Sequence, residues 1–140
     1  MAKVFRPSTR ESSLLSKIES SKERARRKAL MDLKECLEPL ANSISMKLVE
    51  EGLIETTNKN TLEAQFVQLF EKLCYADDFD IDYMIAPYRL LVPNPHVVSI
   101  YTTAYMLDTL INHKDVVDIY GADEDIYHTI HKQVQKHLPH

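Results

Sequence analysis

The sequence predicts an all-α fold, a compact bundle of five to six helices with a long N-terminal helix. Three observations carry that expectation. Only two glycines occur in 140 residues, far below the usual share of about 7%. Sandwiches, barrels and phosphate loops all need glycine at turns where φ is positive. Apolar residues recur at helical spacing along most of the chain. Short polar residues that cap helices precede several of these stripes.

The elements follow in order. Ser8 or Thr9 after Pro7 can cap a first helix. Its apolar stripe begins at Leu14, Leu15 and Ile18, lapses between Ser20 and Lys28, and resumes at Ala29, Leu30, Leu33 and Leu37. Apart from its serines the lapse consists of good helix formers, so the backbone stays helical through it. A helix with so polar a middle is expected to project from the body or to lie across a partner. Pro39 then ends or kinks it, because proline lacks an N–H and crowds the preceding turn.

Leu40, Ile44, Leu48 and Val49 mark a second helix, with Gly52 as its stop and Leu53 as the apolar follower. The segment 55–60 reads as a loop. Asn60 with Glu63 predicts a capping box for a third helix, whose face is Leu62, Phe66, Leu69, Phe70 and Leu73. A short helix is expected from about Asp80 to Pro87. Asn94–Pro95 reads as the start of a buried central helix running to about Asn112. The rival is a hairpin of 89–92 with 96–102, suggested by β-branched residues. A short helix over 115–120 stopped by Gly121 and a last helix capped by Asp123 complete the chain. The last helix turns Ile126, Ile130, Val134 and Leu138 inward.

A chain of this length fits one domain and needs no disulfide staples. Its N-terminus lacks the apolar core of a secretory signal, and no run of apolar residues is long enough to span a bilayer. Cys36 and Cys74 fall within apolar helical patterns, which suits free thiols in a reducing compartment. A cytoplasmic location is expected.

The net charge of −4 conceals a partition. Residues 1–34 hold ten Lys and Arg against four carboxylates, net +6, and residues 35–140 hold seven against seventeen, net −10. The chain therefore divides into a basic helical arm (1–34) and an acidic body (35–140). Such asymmetry speaks of partners and self-association.

Lys22, Arg24, Arg26, Arg27 and Lys28 are the candidate binding residues. A cationic cluster of this kind attracts phosphate backbones, so nucleic-acid binding through Arg24–Lys28 is the alternative expectation. Against it, the pI is about 5.8, and no aromatic residue between Arg6 and Cys36 offers a stacking platform. A protein partner or a second copy fits better.

Glu124, His128 and His131 fall at i, i+4 and i+7 on the last helix, with Gln135 continuing the row. Two imidazoles and a carboxylate suit a divalent metal, but no outside ligand is identifiable, and no metal or cofactor is expected. His137 and His140 are expected in a frayed end. Asp77, Asp78, Asp80 and Asp82 alternate like a calcium loop, yet Tyr83 and Arg89 stand where glycine and glutamate are required. Capping, solvation or docking of a basic arm explains them better. Arg89, inside an apolar stretch, is expected to be buried and paired with Asp108. Neither cysteine has a base nearby in sequence, and nucleophile-elbow and phosphate-loop glycine patterns are absent. The expected function is a non-enzymatic protein–protein interaction module, an adaptor or regulator. It would self-associate, as a homodimer, through the basic N-terminal helix, with no membrane partner.

Overall fold

A computed structural model of the chain describes residues 22–110 and 118–138 in full, and the backbone alone of 9–21, 116 and 117. The elements are α1 (Thr9–Lys34), α2 (Leu37–Glu50), β1 (Ile54–Thr56), α3 (Lys59–Tyr75), α4 (Asp78–Ile85), α5 (Val97–Tyr105), β2 (Val116–Ile119) and α6 (Asp123–His137). A 3-10 turn at Ala86–Tyr88 follows α4, and a π turn at Met106–Leu110 extends α5. The expected cap at Ser8 lies outside the described residues.

The core forms where apolar faces meet. Leu33 of α1, Leu40, Ile44 and Leu48 of α2, and Leu62, Phe66 and Phe70 of α3 are fully buried. Ile81 of α4, Ile100 of α5, and Ile126 and Ile130 of α6 join the same cluster. The Phe66 and Phe70 rings lie 6.3 Å apart, one helical turn from each other. Helix α2 packs on α3 and α6, and α6 packs in turn on α5.

The junction between α1 and α2 falls at Glu35 and Cys36, where tight bonds from Glu35 N to Asp32 O (3.1 Å) and Cys36 N to Leu33 O (3.0 Å) close the helix. The break precedes Pro39, which instead occupies the first turn of α2, where a missing N–H costs nothing. Helix α2 ends as expected. Gly52 takes φ +68°, Gly52 N donates to Val49 O, and Leu53 N donates to Leu48 O. These paired bonds satisfy carbonyls that the helix end would otherwise leave bare.

Several expectations are corrected. The cap of α3 is Asn58, whose side chain accepts from Asn60 N (3.0 Å) and Thr61 N (3.2 Å). Glu63 is thereby released from any capping box and accepts from Asn42 Nδ2 of α2 instead. Residues 54–56 and 116–119 are not loop and helix but an antiparallel pair, with Ile54 opposite Ile119 and Glu55 opposite Asp118. Val116, Val117 and Ile119 prefer an extended backbone, and burying Ile54 fixes which face turns inward.

The hairpin alternative for residues 89–102 does not form; α5 is helical and buried over Val98–Ala104. Its threonines are tolerated because Thr102 and Thr103 donate to the Val98 and Ser99 carbonyls, at 2.7 and 2.8 Å. His96, not Asn94, caps it: its Nδ1 accepts from Val98 N at 3.2 Å. Asn94 sits in the preceding turn at φ +50°. Ile126, Ile130 and Val134 of α6 are buried, with Leu138 just past its end; the cap is Ala122 rather than Asp123, and Asp125 accepts from Ala122 N there. Among the described residues no helix is long and apolar enough to cross a membrane.

Candidate functional site

Helix α4 is eight residues long and uses every side. Asp77 caps it by accepting from Asp80 N at 2.8 Å. Ile81 and Ile85, one turn apart, are buried and anchor it to the core. Asp78 and Asp82 form one flank, Asp80 and Met84 the other, because residues four apart share a face. Phe79 and Tyr83 are left on the outer side, 76% and 78% exposed.

Arg26 of α1 reaches the first flank. Its Nη1 donates to Asp78 Oδ1 at 3.1 Å and its Nη2 to Asp82 Oδ1 at 2.9 Å. Burial works against the charge, but the hydrogen bonds to Asp82 and then Asp78 outweigh it and raise the guanidinium pKa. Ala29 and Leu33 follow on the same face of α1 and enter the core. From Arg26 onward, then, the basic helix lies on its own body.

The expected binding residues are divided by this packing. Arg26 turns inward, whereas Lys22, Arg24, Arg27 and Lys28 are exposed. Arg24, Arg27 and Met31 fall at i, i+3 and i+7 on the outer face, and Met31 is 66% exposed. The aspartates expected to serve as caps or as a dock for the basic arm do both.

Two clefts flank α4. One, of about 1030 Å³, opens between α1, α4 and α6, and includes Lys22, Arg26, Asp78, Asp82, His96 and His131. His131 leads into a polar cluster. Its Nδ1 is 2.7 Å from Ser99 Oγ, and the Tyr127 ring stacks on it with centroids 5.4 Å apart. The Tyr127 hydroxyl accepts from His96 N at 3.1 Å. Burial first, and then the neighbouring imidazole, lowers the pKa of His96 (through His131) and of His131 (through His128). Both are held as neutral rings at neutral pH. The other cleft, of about 1100 Å³, lies between α3 and α4, with Cys74, Met84 and Tyr101 inside and Lys34, Tyr75 and Tyr83 at its edges. Lys34 Nζ stands 5.0 Å above the Tyr75 ring.

No family model, curated protein or solved structure matches this chain.

His131 is engaged by Ser99 and Tyr127, while Glu124 and His128 face solvent. Among the described residues no three potential ligands converge on a metal position. His137 is not frayed: it closes α6, with Nε2 2.9 Å from Ser43 Oγ. Arg89 is exposed rather than buried, and its expected partner Asp108 accepts instead from the Tyr88 hydroxyl at 2.6 Å. Burial, then that bond and the Asp108 charge, push the Tyr88 phenol up to about 12. The Cys36 and Cys74 thiols donate to the carbonyls of Asp32 and Leu30, each at 3.6 Å. Burial pushes both thiols up, which disfavours the thiolate needed for attack. The Ser99 hydroxyl, although beside an imidazole, is completely buried.

Sequence reasoning passed over the aromatic side of this surface. Phe79 and Tyr83, four apart among aspartates, carried the signal: two rings at helical spacing in a stretch too acidic to be buried all round.

Proposed function

We propose that the chain is a non-enzymatic protein–protein interaction module, an adaptor or regulator, that forms a homodimer through its basic N-terminal helix in the cytoplasm. The observation that carries this assignment is the outer face of α1, where Arg24, Arg27 and Met31 are exposed side by side. Their acidic neighbour α4 presents Phe79 and Tyr83 to solvent. Arginine, methionine and aromatic side chains are the types enriched where proteins meet. The inward-bonded thiols and the buried Ser99 hydroxyl favour a binding role over nucleophilic chemistry, and two free cysteines suit a reducing compartment.

Sedimentation velocity on the full chain, from low to high micromolar protein, tests the assignment. A dimer should accumulate with concentration and weaken as added salt screens the exposed cations. Arg24→Glu with Arg27→Glu should shift the balance toward monomer. A chain that stays monomeric throughout, or that instead binds duplex or single-stranded nucleic acid at low salt, would overturn it.

A further inference from the structure

Resting on that assignment, we infer that the aromatic, acidic face of α4 is the surface that receives the basic helix of a second copy. The face is built from Phe79 and Tyr83, continued by Tyr75 of α3, which is 82% exposed. Tyr75 and Tyr83 border the same cleft, with Lys34 of α1 on its rim. Lys34 of α1, Tyr75 of α3 and Tyr83 of α4 thus meet around one cleft.

Charge identifies the occupant. The segment Asp77–Asp82 contains four carboxylates, and of these Asp78 and Asp82 engage Arg26 of the same chain. Asp77 and Asp80 are exposed beside the rings. Aromatic faces ringed by negative charge favour a guanidinium, through cation–π contact as well as Coulomb attraction. They also favour a thioether, which packs well against ring edges. Arg24, Arg27 and Met31 supply both chemistries at a spacing that puts them on one side of a helix. The chain already makes a cation–π contact, Lys34 over Tyr75, and an arginine–aspartate pair, Arg26 on Asp82, within itself.

Symmetry makes the pairing reciprocal. A two-fold interface needs each patch to meet its complement on the partner, and here donor and acceptor faces are neighbours on one chain. An axis between them lets both helices dock at once. Aromatic side chains cover roughly 150–250 Å² each on burial. Three rings per contact, matched by the opposing helix and doubled by symmetry, come to roughly 1,800–3,000 Å² at full burial, so covering about two thirds of that meets the roughly 1,200–2,000 Å² of a specific interface.

The test uses the full chain and two variants whose substitutions are all at exposed positions: Phe79→Ser with Tyr83→Ser, and Arg27→Glu with Met31→Ser. Thermal melting verifies that each remains folded. Either variant should raise the dimer Kd by roughly thirtyfold or more, the loss expected of a hot spot. Mixed together, the two should form a heterodimer that neither forms alone at that concentration, since one intact helix then meets one intact α4 face. A wild-type dimer that the Phe79/Tyr83 variant leaves undiminished overturns this inference and spares the self-association. A wild-type chain that remains monomeric overturns both and leaves the face to a different partner.

Discussion

Arg26 Nη2 lies 2.9 Å from Asp82 Oδ1, fastening the first helix to the fourth across fifty-six positions of sequence. The guanidinium is only 25% exposed and the carboxylate 49%, so this contact belongs neither to the loose surface pairs nor to fully buried ones. Replacing Arg26 by methionine keeps the aliphatic stem but leaves Asp78 and Asp82 to repel each other. The expected loss is about 1–2 kcal/mol, above an ordinary surface pair because two carboxylates lose one shared partner. Urea unfolding at low and at high salt measures it. A smaller difference between Arg26→Met and wild type at high salt is expected, since the carboxylates are open to screening ions. No difference at either salt would show that α1 is held by Ala29 and Leu33 alone.

Acid should loosen the helix junction at His96. The folded chain holds His96 and His131 below the ordinary imidazole value of 6.5, so the unfolded chain binds protons first as pH falls. Their contribution is complete above 6.5 and is lost progressively toward the lowered folded values. Protonating His96 Nδ1 also removes the acceptor for Val98 N. The denaturant midpoint should therefore drop between about pH 7 and 5. His96→Asn keeps a capping oxygen without the titration, so it should hold neutral-pH stability while flattening the drop. An unchanged slope in that variant would place the acid sensitivity elsewhere.

The two glycines should respond differently to alanine. At Gly121, φ is +86° and an added Cβ would meet Leu53 Cδ2 at 2.9 Å. At Gly52, φ is +68° with no heavy atom within 4 Å. Gly52→Ala should incur the left-handed backbone cost alone, about 1–2 kcal/mol. Gly121→Ala adds displacement of Leu53, and should be the worse of the pair in thermal melting. The reverse order would mean that Leu53 shifts freely.

Ser45 sits fully buried on α2, and its hydroxyl has no hydrogen-bond partner among the described residues. Ser45→Ala removes a desolvated polar group and improves helix propensity. A gain of about 0.5–1.5 kcal/mol is expected in chemical unfolding. A loss would reveal that the hydroxyl is satisfied in solution.

Much of this architecture is legible in the sequence. The stripes of α2, α3 and α6 read correctly because burial of one helical face imposes its period directly on residue type, and Gly52 announced its positive φ. The strands did not read. Residues 54–56 and 116–119 are too short to show alternation, and each is stabilised by a partner far away in sequence. Arg89 misled because an apolar neighbourhood in sequence need not be one in space: just past the 3-10 turn that follows α4, it is exposed. The acidic run was read rightly as helix capping and arm docking, but the partner of Arg26 could not be named from spacing, since it depends on how α1 and α4 cross. The rings at Phe79 and Tyr83 were overshadowed by the charges around them.

The short ribbon has a consequence for the order of assembly. Tyr120 N donates to Leu53 O at 2.6 Å and the Tyr120 hydroxyl to Glu55 at 3.0 Å, a separation of sixty-five positions. Closing so large a loop is entropically costly until the intervening segments have compacted. The ribbon is therefore expected to close late, once α3 and α5 have found each other, and to open early; hydrogen exchange checks this, with the amide of Tyr120 exchanging sooner than those of α3 and α5.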